Sequence, residues 1–348
     1  MHALGDTYLD KGTMRLNNWS FLFSLVVLAA CSADHALAPE PEPRAPHVSA
    51  SRFLGGIGTT ALYWSLGIAI NDSGVAVGEA QTSVSERRRA AFWSPPDYQV
   101  SLLPDLGAAS SIATSIAIDG TISGEICDGT ELQPPCHPVY WRNGTLHQLG
   151  GMGGVNDVCP CDGHTLVGQT IVNFHSHGAI WVDDLLIDIG TPNGVEDAEL
   201  TAVSHGYIVG YSWEYHGPLR INFHSYRWSP AAGWVALGPE SIDVIDVNAE
   251  GSALARPNIL WPNGSNTSTT IPGAGDAAAI NDSGVVAGEC VPNPNESTTR
   301  LICEYSSSTG WTVIGTETLS TVLGINNANA AVGQAFDGER LSAIIWTP

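Results

Sequence analysis

Three histidines stand four residues before a tryptophan: His137 before Trp141, His177 before Trp181 and His224 before Trp228. Side chains alternate along an extended strand, so each histidine shares a face with its tryptophan. A repeated imidazole at a strand start could contact a metal or an anion on the rim of the fold. The same spacing suits a packing histidine bonded to a neighbouring backbone. A second constellation is Cys159-Pro160-Cys161 with Asp162 and His164. Two thiols and an imidazole could hold a soft metal, and the alternative is a disulfide, local at a bend over Pro160 or long-range. The single basic cluster is Arg87-Arg88-Arg89, read as a specific anion contact or a solvated loop tip. Carboxylates are plentiful, yet no pair is singled out by its spacing. No Gly-x-Ser-x-Gly, His-Glu-x-x-His or phosphate-loop pattern occurs.

The elements that would carry these residues follow from a recurring phrase. Residues 69–78 read Ala-Ile-Asn-Asp-Ser-Gly-Val-Ala-Val-Gly, and 279–288 read Ala-Ile-Asn-Asp-Ser-Gly-Val-Val-Ala-Gly. The closing glycines of this phrase and its weaker copies are Gly78, Gly124, Gly168, Gly210, Gly288 and Gly333, with Ala255 in a further copy. Their successive steps are 46, 44, 42, 45, 33 and 45 residues, the length of a four-stranded propeller blade. One aromatic residue follows each phrase: Trp93, Trp141, Trp181, Trp228, Trp261, Tyr305 and Trp346. A Leu-Gly or Ile-Gly then closes most units, as at Leu106-Gly107 and Ile314-Gly315.

Each unit therefore reads as four short strands, a to d, with an Asp-Ser-Gly type turn between a and b. The fold class is all-β, a seven-bladed β-propeller. Small alanines in strand a, such as Ala113, Ala202 and Ala277, suit the crowded axis, and the strand c aromatics suit the wider space between blades. The last unit stops at Trp346-Thr347-Pro348 after strand c, while Ser51 to Gly56 reads as a lone strand d. An N-terminal strand that completes the last blade would close the ring and remove two sheet edges. Tyr63-Trp64-Ser65-Leu66 belongs either to the first strand a or to the loop entering it.

The N-terminal part reads as a targeting region. Leu16 to Ala30 is mostly apolar behind Arg15 and ends in Leu28-Ala29-Ala30-Cys31. That ending resembles the lipobox of bacterial lipoproteins and implies cleavage before Cys31 and its acylation. Ser32 after the cysteine resembles sorting to the outer membrane, and Met14 is an alternative start. The expected organisation is a lipoprotein signal peptide at 1–30, an acylated cysteine and Pro-rich tether at 31–50, and the propeller at 51–348.

The net charge of −22, with Lys11 the only lysine, excludes a nucleic-acid binder and favours contact with divalent cations. No cofactor is required by the sequence. Six cysteines follow Cys31, an even number in an exported chain. Cys127 with Cys136, and Cys290 with Cys303, hold similar places in two units. Each pair is expected to staple a b–c hairpin.

The phrase at 69–78 and Ala-Ala-Phe-Trp at 90–93 resemble the HAF-repeat family of extracellular repeat proteins. The step that names this family appears here at His137, His177 and His224, while Arg89, Pro257, Leu301 and Ser342 hold its place elsewhere. The resemblance covers nearly all of 53–348. It implies an exported repeat protein and brings no catalytic residues. The leading expectation is a lipid-anchored binding or interaction module of the cell envelope, without catalysis, recognising a protein or glycan. The alternative is an extracellular polysaccharide hydrolase or lyase on the same scaffold.

Overall fold

The computed structural model describes residues 50–56, 63–83, 86–129, 135–216, 219–238, 242–273, 275–291 and 300–348. Among them every regular element is a strand, and the 28 strands form seven four-stranded antiparallel sheets. Blade 1 is β2 (Trp64–Ile70), β3 (Ala76–Gln81), β4 (Arg89–Trp93) and β5 (Val100–Leu102). Blade 2 is β6 (Ser110–Ile116), β7 (Ile122–Cys127), β8 (Cys136–Arg142) and β9 (Thr145–Gln148). Blade 3 holds β10 (Gly153–Val158), β11 (Thr165–Val172), β12 (His175–Val182) and β13 (Leu185–Gly190). Blade 4 holds β14 (Asp197–Ser204), β15 (Tyr207–His216), β16 (Leu219–Ser229) and β17 (Gly233–Ala236). Blade 5 runs through β18 (Val244–Val247), β19 (Ala253–Ala255), β20 (Ile259–Trp261) and β21 (Thr269–Thr270). Blade 6 runs through β22 (Gly275–Ile280), β23 (Val286–Cys290), β24 (Leu301–Ser306) and β25 (Gly310–Gly315). Blade 7 is β26 (Thr321–Ile325), β27 (Ala331–Phe336) and β28 (Leu341–Thr347), completed by β1 (Ala50–Phe53). Trp64 thus belongs to the first strand a, and β1 opens one residue before the expected boundary at 51.

The recurring phrase has a physical explanation at each position. In all seven blades strand a carries a bulge against strand b, for example between Gly67 and Ala69 and between Ala277 and Ala279. The bulge brings the strand a backbone hard against the glycine that closes the phrase. A Cβ added at Gly78 would sit 2.0 Å from the Leu66 carbonyl oxygen, and one at Gly333 would sit 2.0 Å from that of Thr321. A side chain at these glycines would collide with the strand a backbone, which favours glycine at that step, although blade 5 carries Ala255 there opposite Val244.

The asparagine of the phrase bonds in two directions. The Asn281 Oδ1 accepts the backbone N–H groups of Ser283 and Val285, closing its own turn. Its Nδ2 donates to the Asn326 carbonyl at 3.0 Å in the next blade. Asn248 donates likewise to the Asn281 carbonyl, Asn326 to Asn71, and Asn71 to Ala117. Four such links run from blade 5 through 6, 7 and 1 to blade 2.

The aromatic landmarks pack into the outer part of the seams, most with a hydrogen bond across, whereas the Trp261 indole N–H has no partner. Trp93, Trp141, Trp181, Trp261 and Trp346 are fully buried. The Trp141 indole N–H donates to the Pro104 carbonyl at the end of the preceding blade, and Trp181 donates to that of Gly150. Where strand c has Tyr305, its cross-strand partner Trp311 supplies the same bond, to Pro272. Trp234 serves the Trp228 blade, bonding Ile189.

Ring closure uses the same parts. β1 pairs antiparallel with β28, with Phe53 opposite Ile344 and Ser51 opposite Trp346. Trp93 donates to the Gly55 carbonyl that follows β1, so the closing seam carries the tryptophan bond of the internal ones. Disulfides join Cys127 to Cys136 and Cys290 to Cys303, each across a b–c hairpin as expected. A third joins Cys159 to Cys161. Cys31 and the expected signal and tether segments, apart from Ala50 in β1, lie outside the described residues.

Candidate functional site

The ends of the strands define two rims. The a–b and c–d turns lie on one, and the b–c hairpins and d–a connections on the other. An axial cavity of about 550 Å³ lies at the a–b end, bounded by the second halves of the seven strands a and their turns. Four carboxylates, Asp72, Asp157, Asp246 and Asp282, line it, and none of its described lining residues is Arg or Lys. These acids are engaged in holding the ring. Asp157 accepts the Val158 and Val203 backbone N–H groups, and Asp246 those of Val247 and Ile280. In both cases the second donor belongs to the next blade. Burial pushes Asp157 up to about 6 and Asp246 up to about 7 against these donors. Asp72 and Asp282 are tied together through Asn327, whose Nδ2 donates to both.

The three sequence-predicted histidines lie on the opposite rim, in blades 2, 3 and 4, and each has its own surroundings. His137 Nε2 is 3.8 Å from Asp128. His177 Nδ1 is 3.0 Å from Asp188 across the c–d pair. His224 lies opposite Ser212 on the neighbouring strand. They do not converge on one ligand, because strand c is far from the axis. Arg89 forms neither a free anion site nor a solvated tip: with Arg87 it binds the buried carboxylate of Asp105 at 2.9 and 2.8 Å. Arg88 lies 3.5 Å from Glu79 and covers the Trp64 ring at 4.6 Å. The soft-metal reading of Cys159, Cys161 and His164 is corrected by the disulfide, which consumes both thiolates. His164 Nδ1 instead faces Asp183 at 3.4 Å.

Sequence reasoning missed an arc of carboxylates on the b–c side of the axis. Glu79 and Glu125 follow the closing glycines on β3 and β7, and Glu199 lies on β14 beside Tyr211 of β15. Glu79 is 2% exposed, and its Oε2 has no hydrogen-bond partner. The Glu125 carboxylate fills the space where a side chain at Gly154 would begin, 2.3 Å from that Cβ position. Burial pushes Glu79 up to about 7, partly offset by Arg88. Glu125 also rises to about 7, through burial and then the nearby charges of Glu199 and Glu79. Glu199 is raised by burial, opposed by its hydrogen bond from Tyr211, and Tyr211 is pushed up by burial and then by Glu199. The three carboxylates come from separate blades, so no local spacing marked them.

The same rim also departs from the repeat. The b–c hairpin of blade 3 turns on Asn173-Phe174, both at positive φ (51° and 71°). Such two-residue turns favour glycine at the second position, as in Asn143-Gly144 and His205-Gly206 of this chain. Phe174 occupies that position and is 99% exposed. Met152 and Ile171 of blade 3, and Tyr215 and Leu219 of the long β15–β16 hairpin in blade 4, are further exposed apolar side chains on this rim.

No family model matches the chain, and no curated protein matches it. Solved structures match by fold. The β-propeller domain of the Trilobed protease from Pyrococcus furiosus, described as having an open velcro topology, aligns with TM-score 0.57 at 10% identity over 81% of this chain and 95% of that one. An acylaminoacyl peptidase in complex with a chloromethyl ketone aligns with TM-score 0.57 at 11% identity over 82% of this chain and 51% of its own. The Pyrococcus horikoshii acylaminoacyl peptidase gives 0.51 at 10%, over 78% and 49%. The chain therefore spans about half the length of these peptidases, and the likeness establishes the propeller fold alone.

Proposed function

We propose that the chain is an exported binding module of the cell envelope, tethered by lipid at Cys31, whose ligand-contacting surface is the b–c rim of blades 3 and 4. The observation that carries this reading is Phe174. A fully exposed aromatic side chain at a positive-φ turn position costs about 1 kcal/mol of backbone strain and gains no burial in the free protein. A bound ligand supplies the missing contact. The four exposed apolar side chains on the same two blades extend that surface. Three disulfides fit an oxidising compartment, and the HAF-type phrases fit the exported repeat proteins they resemble. The net charge of −22 favours a neutral or amine-bearing glycan or protein over a polyanion.

The test is affinity electrophoresis of the full chain through β-glucan, xylan and chitosan, with alginate as the polyanionic comparison. At least one of the first three retards the protein, and Phe174→Gly, which relaxes the turn, abolishes the retardation while raising stability. Equal retardation of the variant would refute the assignment of this rim. Membrane partitioning that survives Cys31→Ser would refute the tether. One observation favours a second reading, a polysaccharide hydrolase: Glu125 keeps its proton to about 7, as a general acid must. Release of reducing ends by the protein, abolished in Glu125→Gln, would replace the binding-only reading with it.

A further inference from the structure

His175, Glu196 and Asp197 bring one ligand atom each within 4.8 Å of the others. Their sources are separate: His175 opens strand c of blade 3, whereas Glu196 and Asp197 lie at the entry to strand a of blade 4. Asp197 is buried, and its Oδ1 is fixed by the Ser176 backbone N–H at 2.8 Å, leaving Oδ2 aimed at the imidazole. His175 Nδ1 lies 3.2 Å from that Oδ2. A tetrahedral ion with bonds near 2.1 Å separates two of its ligand atoms by about 3.4 Å, so the pair already spans close to one tetrahedral edge. Glu196 is exposed and stands at the open side, and the His175 side chain is 42% exposed, so water can reach the remaining position.

We propose that His175, Glu196 and Asp197 form a site for a first-row divalent metal ion of the Zn²⁺ type, bridging blades 3 and 4. One imidazole with two carboxylates is a mixed nitrogen and oxygen set. It favours zinc-like ions over Ca²⁺, which takes six to eight oxygen ligands. His177, two residues along the same strand, is held by Asp188 and contributes nothing. The ion would pin the hairpin that carries Phe174 to the neighbouring blade. The proposal stands on this geometry and is independent of which ligand the rim takes.

The experiment is calorimetric titration of ZnCl₂ into the chelator-treated full chain, with thermal unfolding as a second readout. The expected result is one Zn²⁺ per chain and a raised Tm. His175→Gln and Glu196→Gln should each weaken binding by about tenfold or more, with the metal-free Tm unchanged, and His177→Gln should bind as the parent does. Absence of saturable binding overturns the site. So does unchanged affinity in both ligand variants, loss of binding in His177→Gln, or displacement of Zn²⁺ by equimolar CaCl₂.

Discussion

At the residue scale, Glu79 and Glu125 are negative groups held in the protein without adequate compensation. An unfolded glutamate releases its proton near 4.5, whereas these two keep theirs to about 7 in the folded chain. Between those values the native state binds more protons than the unfolded one. Their contribution to stability is therefore fully present below about pH 4.5 and is lost as pH rises through 7. Each tenfold change in proton affinity on folding corresponds to about 1.4 kcal/mol, and relaxation of the site reduces the effect. Glu79→Gln and Glu125→Gln are each expected to stabilise the protein by about 1–3 kcal/mol at pH 8 and to leave it little changed at pH 4.5. Urea denaturation at the two pH values decides this. A variant destabilised equally at both would mean that the carboxylate is a structural hydrogen-bond acceptor.

At the element scale, the a–b turn joins two tasks in one asparagine. Asn281 closes its turn through Oδ1 and reaches the next blade through Nδ2, which also donates to Asn329 Oδ1 at 2.8 Å. Asn281→Ala removes all four bonds and leaves buried partners unsatisfied, a loss of about 3 kcal/mol. Asn281→Asp keeps the acceptor and loses the donor, so in chemical denaturation it should lie between Ala and the parent. An aspartate as damaging as alanine would show that the turn bonds contribute little. This double duty explains why the repeat was legible: the asparagine in blades 1, 5, 6 and 7, the closing glycine in six blades and the aromatic in all seven each solve a recurring geometric problem, so their types recur in phase. Histidines at equivalent places invited a shared role, but equivalence around a ring is separation in space. His175 and Asp197 meet across 22 residues, from non-equivalent positions in two blades, and the Glu125 carboxylate enters the space that Gly154 of the next blade leaves open. The same logic failed for Arg89, whose partner Asp105 sits 16 residues on.

At the scale of the whole molecule, stability depends on a ring with no free edge. Both ends of the described domain lie in blade 7, where β1 covers the outer edge of β28 over four residue pairs. Two further contacts tie this strand to blade 1. The Arg52 guanidinium donates to the Pro96 and Asp97 carbonyls, and Trp93 donates to Gly55. The Leu54 side chain, 5% exposed, is packed in the cluster that contains Trp93, Val332 and Ile345. Removing β1 would therefore uncover the hydrogen-bonding edge of β28 and open the seam between blades 7 and 1 together. A chain lacking residues up to Gly55 is expected to unfold at lower denaturant and to associate through the bare edge, seen as oligomers in light scattering. Adding a synthetic peptide of residues 50–56 should restore the monomer and part of the lost stability, because the peptide binds only the folded ring. A monomeric truncated protein with the parent's denaturation midpoint would mean that the inner asparagine and tryptophan links suffice, and that β1 is an ornament on an already closed ring.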